Sequence, residues 1–264
     1  MILYLQEIRQ NSKALIIWIV CVVGLFAFSM SMYPSFSQNP QMLNDMMKAL
    51  PKEMLDAFGI SAADFTKPLD YMSYMFQYIL LAVGAHAILL GSGIVSKEEA
   101  DKTVEFLYAK PVTRNYIVTS KVLAGVTVMA VLTAVFLGAS LAVLNIISNN
   151  IDNGMVALLC LTMFMIQLFF FSVGLIVSML SGKAKRFTSI SLGILFSTFF
   201  LGMMSGVTES LKDLRYVAPL KYFDPAKLVH TGSMETVYLV IVLAVIAASV
   251  IGAYALYRKR DLAA

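Results

Sequence analysis

The sequence predicts an all-α membrane protein with six transmembrane helices, and three observations carry that prediction. Hydrophobic residues make up 59% of the 264-residue chain and charged residues only 14%, against about 45–50% and about 25% in soluble domains. Six apolar runs are each long enough to cross a bilayer core, which needs about 20 residues of helix: 14–33, 75–95, 117–147, 155–180, 188–206 and 237–257. Lysine and arginine also collect in alternate flanking segments, the asymmetry that orients helices in a membrane. With no long-period repeat and no low-complexity tract, residues 1–264 read as one transmembrane domain.

The order of elements follows from the residues around each run. Ahead of the first, Met1, Tyr4, Leu5 and Ile8 form an i, i+3, i+4, i+7 stripe with Gln6, Glu7, Arg9 and Gln10 opposite, which predicts an interfacial helix. The first run is too long and too late for a signal peptide and reads as a retained anchor. Arg9 and Lys13 precede it, Lys97, Lys102, Lys110 and Arg114 follow the second run, Lys183, Lys185 and Arg186 the fourth, and Arg258, Lys259 and Arg260 the sixth. These segments fall on one side, so both termini are expected in the cytosol. The first outer loop should hold a methionine-rich helix over 41–58, with Met42, Met46, Met47 and Met54. The segment 207–236 mixes Lys212, Arg215, Lys221 and Lys227 with Glu209, Asp213, Asp224 and Glu235, so basic residues alone would misplace it.

Within the runs, polar residues are few. No run contains an acidic residue, and the single charge, Lys121, lies at the mouth of the third, where its long side chain is expected to snorkel to the headgroups. His86 is expected to be a neutral, hydrogen-bonded histidine, because no intramembrane carboxylate exists to complete a proton relay. Gln77, Asn145 and Gln167 read as interhelical hydrogen-bonders, and Cys21 and Cys160 as packing residues without ligand spacing. Gly202 and Gly206 form a GxxxG near the outer end of the fifth run, a spacing that serves a dimer seam or packing within one chain.

Several chemistries are excluded. The chain lacks GxxxxGK[ST], and Gly182-Lys183 has neither the upstream glycine nor the following hydroxyl residue, so it has no phosphate-binding loop of that kind. No metal cluster, carboxylate pair or nucleophile with its base is evident. The net charge of +4 is spread over membrane-flanking sites with no aromatic-interleaved patch, so no nucleic-acid partner is read.

The most distinctive stretch is KEEADKTVEFLYAKPVTRNYIVTSK, from Lys97 to Lys121. A helix over 97–109 would place Ala100, Val104, Leu107 and Tyr108 on one face, with Glu98, Asp101, Lys102 and Glu105 toward water. Pro111 would end it, since proline lacks the N–H that a helix interior needs.

The order Glu99, Thr103, Glu105, Leu107, Pro111-Val112, Arg114, Ile117 and Lys121 resembles the cytosolic loop of type-2 ABC transporter permeases, the membrane subunits of many bacterial exporters. Lys102 departs from it, as such loops often have glycine there. The amphipathic start resembles the family's elbow helix, and APLKYFDPAKL (218–228) resembles its signature between the last two spans, where short outer helices re-enter the bilayer edge.

The resemblance implies a bacterial cell-membrane permease, not itself an enzyme. It would be paired with a second copy across the first and fifth spans, with Gly202 and Gly206 at that seam. Two copies of a separate ABC ATPase would bind ATP and Mg, and this chain would hold no cofactor. It further implies that Glu99, Thr103, Val104, Glu105, Leu107, Tyr108, Pro111 and Arg114 contact that ATPase through a coupling helix. For cargo, 17 Met and 17 Phe supply pliable apolar walls suited to amphipathic peptides. A sodium or small-drug exporter of the same build is the alternative; an ATP-independent secondary transporter, or a scaffold or sensor, is the reading from another class.

Overall fold

The computed structural model describes residues 2–39, 41, 45, 48–58, 60, 64–100, 113–180 and 184–259, and among these it is helical with no strand. In chain order the helices are α1 (Ile2–Ser31), α2 (Tyr33–Ser37), α3 (Lys52–Ala57), α4 (Pro68–Ala100), α5 (Arg114–Ile147), α6 (Asn153–Leu180) and α7 (Ala184–Met204). Two 3-10 segments (Glu209–Val217 and Pro219–Lys221), α8 (Pro225–Thr231) and α9 (Thr236–Lys259) complete the chain. α1, α4, α5, α6, α7 and α9 are long and apolar enough to cross a membrane.

Local chemistry sets the helix boundaries. Thr113 caps α5, its hydroxyl accepting the Tyr116 N–H. Asp224 caps α8 by accepting the Ala226 and Lys227 N–H groups, and Pro225 occupies the first turn, where a missing N–H costs nothing. Gly232 ends α8 at φ +66°, a left-handed conformation that glycine adopts without a Cβ penalty.

Three expected boundaries differ from those observed. α1 is one uninterrupted helix of 30 residues, about 45 Å long at 1.5 Å per residue, so the expected elbow is not a separate element. No proline or glycine lies near residues 8–14 to break it. Of the expected polar face only Glu7 turns inward, with Asn11 one turn on, while Gln6, Arg9 and Gln10 stay exposed, as do Ile2 and Leu5 of the apolar stripe at 78% and 55%. Likewise α4 carries straight through Lys97 to Ala100, so the helix expected to start at Lys97 begins as the last turn of the second span. In the first outer loop the helix described as an element is α3, shorter than the expected 41–58, most of whose methionine-rich start lies outside the described residues.

α4 and α6 pack at the centre of the bundle, and glycines let their backbones meet. A Cβ on Gly91 would stand 2.1 Å from the Phe171 carbonyl oxygen, and one on Gly174 would stand 2.4 Å from the Ile88 oxygen. This is the close approach that small residues permit between membrane helices. α1 and α5 pack along one side, α7 rests on α4, and α9 lies on α6. Gln167 accepts a hydrogen bond from the Thr133 hydroxyl at 3.2 Å, and Asn145 donates to Asn153 Oδ1, so both join α5 to α6 as expected. Gln77 instead donates to the Phe58 carbonyl, tying α4 to the outer loop.

The short helices after α7 are set into the bundle beside α6. Ala218, Leu220, Tyr222 and Phe223 are buried, and the Tyr222 ring lies 6.4 Å from Phe169, about 24 Å along α6 from its first residue. His230 Nε2 reaches to 3.0 Å from the buried Asp70 carboxylate, fastening α8 to the start of α4. Here the two glycines of the GxxxG are occupied within the chain. A Cβ on Gly202 would meet Lys221 and Ala218 at 3.1 and 3.3 Å, and one on Gly206 the Asp56 carbonyl at 2.9 Å. Their spacing therefore seats the outer segments of the same molecule.

Candidate functional site

The loop between α4 and α5 is the strongest candidate from the sequence, and the structure describes its two stems. Thr103, Val104, Glu105, Leu107, Tyr108 and Pro111 lie outside the described residues, and Glu99 falls on the last turn of α4. Arg114 opens α5, and its Nη1 donates to the Arg258 carbonyl of α9 at 2.7 Å. The guanidinium expected to face an ATPase thus also joins the loop's exit to the end of the last span.

The first stem, the end of α4, is bonded through its Ile94 carbonyl to a buried ion pair between α1 and α5. Lys121 Nζ lies 2.7 Å from Glu7 Oε1, and the two side chains are only 4% and 8% exposed. The same ammonium donates to the Ile94 carbonyl oxygen of α4 at 2.6 Å. Lys121 therefore does not snorkel outward as expected. Its side chain points into the junction of α1, α4 and α5, where Glu7 supplies the counter-charge that a desolvated ammonium requires. Asn11 Nδ2 donates to the Glu7 carbonyl one turn earlier, and the Tyr4 and Thr127 hydroxyls share a hydrogen bond of 2.9 Å between α1 and α5.

The second stem is tied to α9 by three contacts. Besides the Arg114 bond, Arg258 Nε donates to Asn115 Oδ1 at 3.0 Å, and the Thr119 and Tyr254 hydroxyls share a bond of 2.6 Å. Together the stems form a polar collar at one end of the bundle. One ammonium bridges α1, α4 and α5, and the start of α5 is knotted to α9. A force on the loop between 100 and 113 would pass into four of the six long helices through these bonds.

The sequence reading singled out Arg114 and Lys121 in this collar but not Glu7, Asn11, Asn115, Tyr254 or Arg258 as their partners. One signal was available for Glu7: it is the lone acid on α1, seven residues before an apolar run, and Lys121 is the lone charge in a span. Which turn of α1 meets α5 is a tertiary fact.

Elsewhere His86 is buried with its ring 5.3 Å from Trp18, and its Nδ1 has no hydrogen-bond partner. Among the described residues the hydrogen bond expected of His86 is thus not made through Nδ1. Cys160 is buried and Cys21 exposed, both as free thiols. Among the described residues no group of three or more His, Cys, Asp or Glu is placed to hold a metal.

No curated protein matches this sequence. A family model does: residues 1–262 match that of the ABC-2 family transporter proteins, across all six long helices and both stems of the loop between α4 and α5. The chain therefore belongs to the ABC-2 family of membrane transport proteins.

Proposed function

We propose that this chain is the permease of an ATP-driven exporter, in which a separate ABC ATPase hydrolyses ATP with Mg and the loop after α4 receives its stroke. The observation that carries this reading is the collar. A loop that only joined two spans would need no Lys121–Glu7 pair bonded to the Ile94 carbonyl of the entering helix and no Arg114–Arg258 bond at the start of the leaving one. A loop that must pull on helices requires stems that cannot slip. Glu99, Thr103, Val104, Glu105, Leu107, Tyr108 and Pro111 supply the contact surface, and Arg114 anchors its exit.

In this reading two permeases pair with two ATPase subunits in a bacterial cell membrane. α1 and α7, which each bury little of their surface within the chain, meet across the two-fold axis. Gly202 is buried against the chain's own segment, Gly206 is exposed and available to the seam, and exposed apolar residues such as Ile16, Val20, Phe196 and Phe200 extend it. The short helices after α7 sit at the outer edge of the bilayer.

The cargo is amphipathic, with peptides the first choice. A sodium or small-drug exporter is the second reading. It is disfavoured because the buried acids of the described spans, Glu7 and Asp70, face Lys121 and His230 at helix ends rather than lining a path at mid-depth.

The decisive experiment uses the full complex with its ATPase. Glu105→Ala and Leu107→Asp should each lower ATPase binding by more than tenfold, the effect of removing a desolvated anchor, while insertion in the membrane stays normal. Amphipathic peptides should stimulate ATP hydrolysis in the unsubstituted complex more than sodium does. Unchanged binding and coupling in both variants would make the loop an ordinary solvated connection, and stimulation by sodium alone would select the second reading.

Orientation has its own test. With both termini in the cytosol, an impermeant thiol reagent added outside should label cysteines substituted at Lys48 and Asn149 but not at Lys185 or Lys259. Labelling at Lys185 would invert the arrangement.

A further inference from the structure

At the end of the bundle opposite the collar, a second acid is buried against a partner whose charge is not fixed. Asp70 lies in the first turn of α4 and is 3% exposed, about 36 Å along that helix from Ile94. Its Oδ1 stands 3.0 Å from His230 Nε2 of α8, and among the described residues no aligned N–H or O–H donor reaches that oxygen. A buried carboxylate oxygen without an aligned donor depends on the charge opposite it, because burying an anion unpaired is costly. Glu7 faces an ammonium at the collar, whereas Asp70 faces an imidazole, which is cationic only while protonated. The His230 side chain is 50% exposed, so water can deliver and remove that proton.

The other charges around the pair are engaged elsewhere. Lys67 and Asp64, just ahead of α4, lie 3.4 Å from each other. On α8 itself Lys227 pairs with Glu235. Lys221 of the second 3-10 segment, which packs on α4, lies 3.9 Å from Asp224. The halves of α1, α5, α6 and α7 at this end carry no Asp, Glu, Lys, Arg or His. Tyr33 and Tyr71, whose rings meet beside the start of α4, are phenols, which stay neutral below about pH 9. Histidine is the side chain whose charge ordinarily changes between about pH 5 and 8, so His230 is the group that switches the pair in that range.

We infer that Asp70 and His230 form a pH-sensitive latch, which seats α8 on the start of α4 while the imidazole is protonated and slackens as the proton leaves. The sign follows from the charges. A proton on His230 turns the contact into a cation facing a buried anion, so the seating is firmest on the acid side and weakens as pH rises through the histidine's titration. α8 has only seven residues, too few to hold its shape without packing on a neighbour, and its hold on α4 therefore sets how readily it opens. With both termini in the cytosol, as proposed above, His230 samples the pH outside the cell. The latch itself needs neither that orientation nor an ATPase, so it stands or falls separately from the coupling reading.

The test is hydrogen–deuterium exchange of the full chain in detergent at about pH 6 and about pH 8.5, on either side of the histidine range, corrected for the intrinsic pH dependence of exchange. The backbone amides of residues 226–231 should open about tenfold more readily at the higher pH, as a local opening, while those at the centre of α6 keep one protection at both. His230→Gln should hold α8 at the loosened level at both pH values, and His230→Lys, which keeps a cation opposite Asp70, should remove the pH difference by keeping α8 seated. His230 is exposed, so either replacement leaves the bundle packed. Equal protection of α8 at the two pH values in the unsubstituted chain, or a pH difference that survives in His230→Gln, would overturn the latch.

Discussion

Replacing Lys121 by methionine should destabilise the folded chain by about 3–5 kcal/mol, the cost of stranding one member of a buried ion pair. The carboxylate of Glu7 would lose the ammonium 2.7 Å away, and its other oxygen, Oε2, is already buried without a partner. Glu7→Leu alone should cost a similar amount, since it strands the ammonium instead. The double variant Glu7→Leu/Lys121→Met should regain most of that loss, because well-packed apolar pairs commonly replace buried ion pairs without penalty. Thermal unfolding in detergent measures all three. If the pair positions the cytosolic loop, the refolded double variant should still couple poorly to its ATPase, since no ammonium then joins α1 and α5 to the Ile94 carbonyl. Additive losses in the double variant would mean that the two residues do not act as a pair.

Gly91→Ala and Gly174→Ala should be the most damaging single-methyl insertions in the protein. In each case the new Cβ would meet a backbone oxygen of the neighbouring helix, at 2.1 and 2.4 Å, and a backbone cannot rotate away as a side chain can. α4 and α6 would have to separate at the centre of the bundle, so the loss should reach at least about 3 kcal/mol, the upper range for overpacked cores. Gly138→Ala is the control: nothing lies within 4 Å of a Cβ there, and alanine is the better helix former by about 0.5–1 kcal/mol. Monodisperse yield and unfolding temperature in one detergent should rank Gly138→Ala at or above the unsubstituted protein and the other two far below it. Normal stability in Gly91→Ala would mean that α4 and α6 do not cross where the structure places them.

The long apolar stretches were legible, and most of the partners that side chains find in other elements were not. The apolar runs recur as α1, α4, α5, α6, α7 and α9, and Gln167 and Asn145 join α5 to α6. Gly202 and Gly206 illustrate the opposite case. Their spacing marks a close approach, but a helix face does not say whether a second copy or the same chain will fill it, and here Lys221, Ala218 and Asp56 do. Gly91 and Gly174, which form the tightest crossing of the central helices, were not singled out because small residues at helical spacing recur in many spans and do not say which helix they face. Each sits on its own helix, eighty-three positions apart, and only packing brings them together.

By itself the sequence determined the class of molecule, the six membrane-spanning stretches and the family resemblance of the loop. Long apolar runs can satisfy their backbone in a bilayer only as helices, whatever their neighbours are. The tertiary structure decided where the charges go. Lys121 could have reached outward to headgroups, and Glu7 could have faced water on an interfacial helix. An ammonium and a carboxylate stay buried only when each finds the other, and that depends on α1 continuing unbroken past residue 14 and lying against α5 in one register.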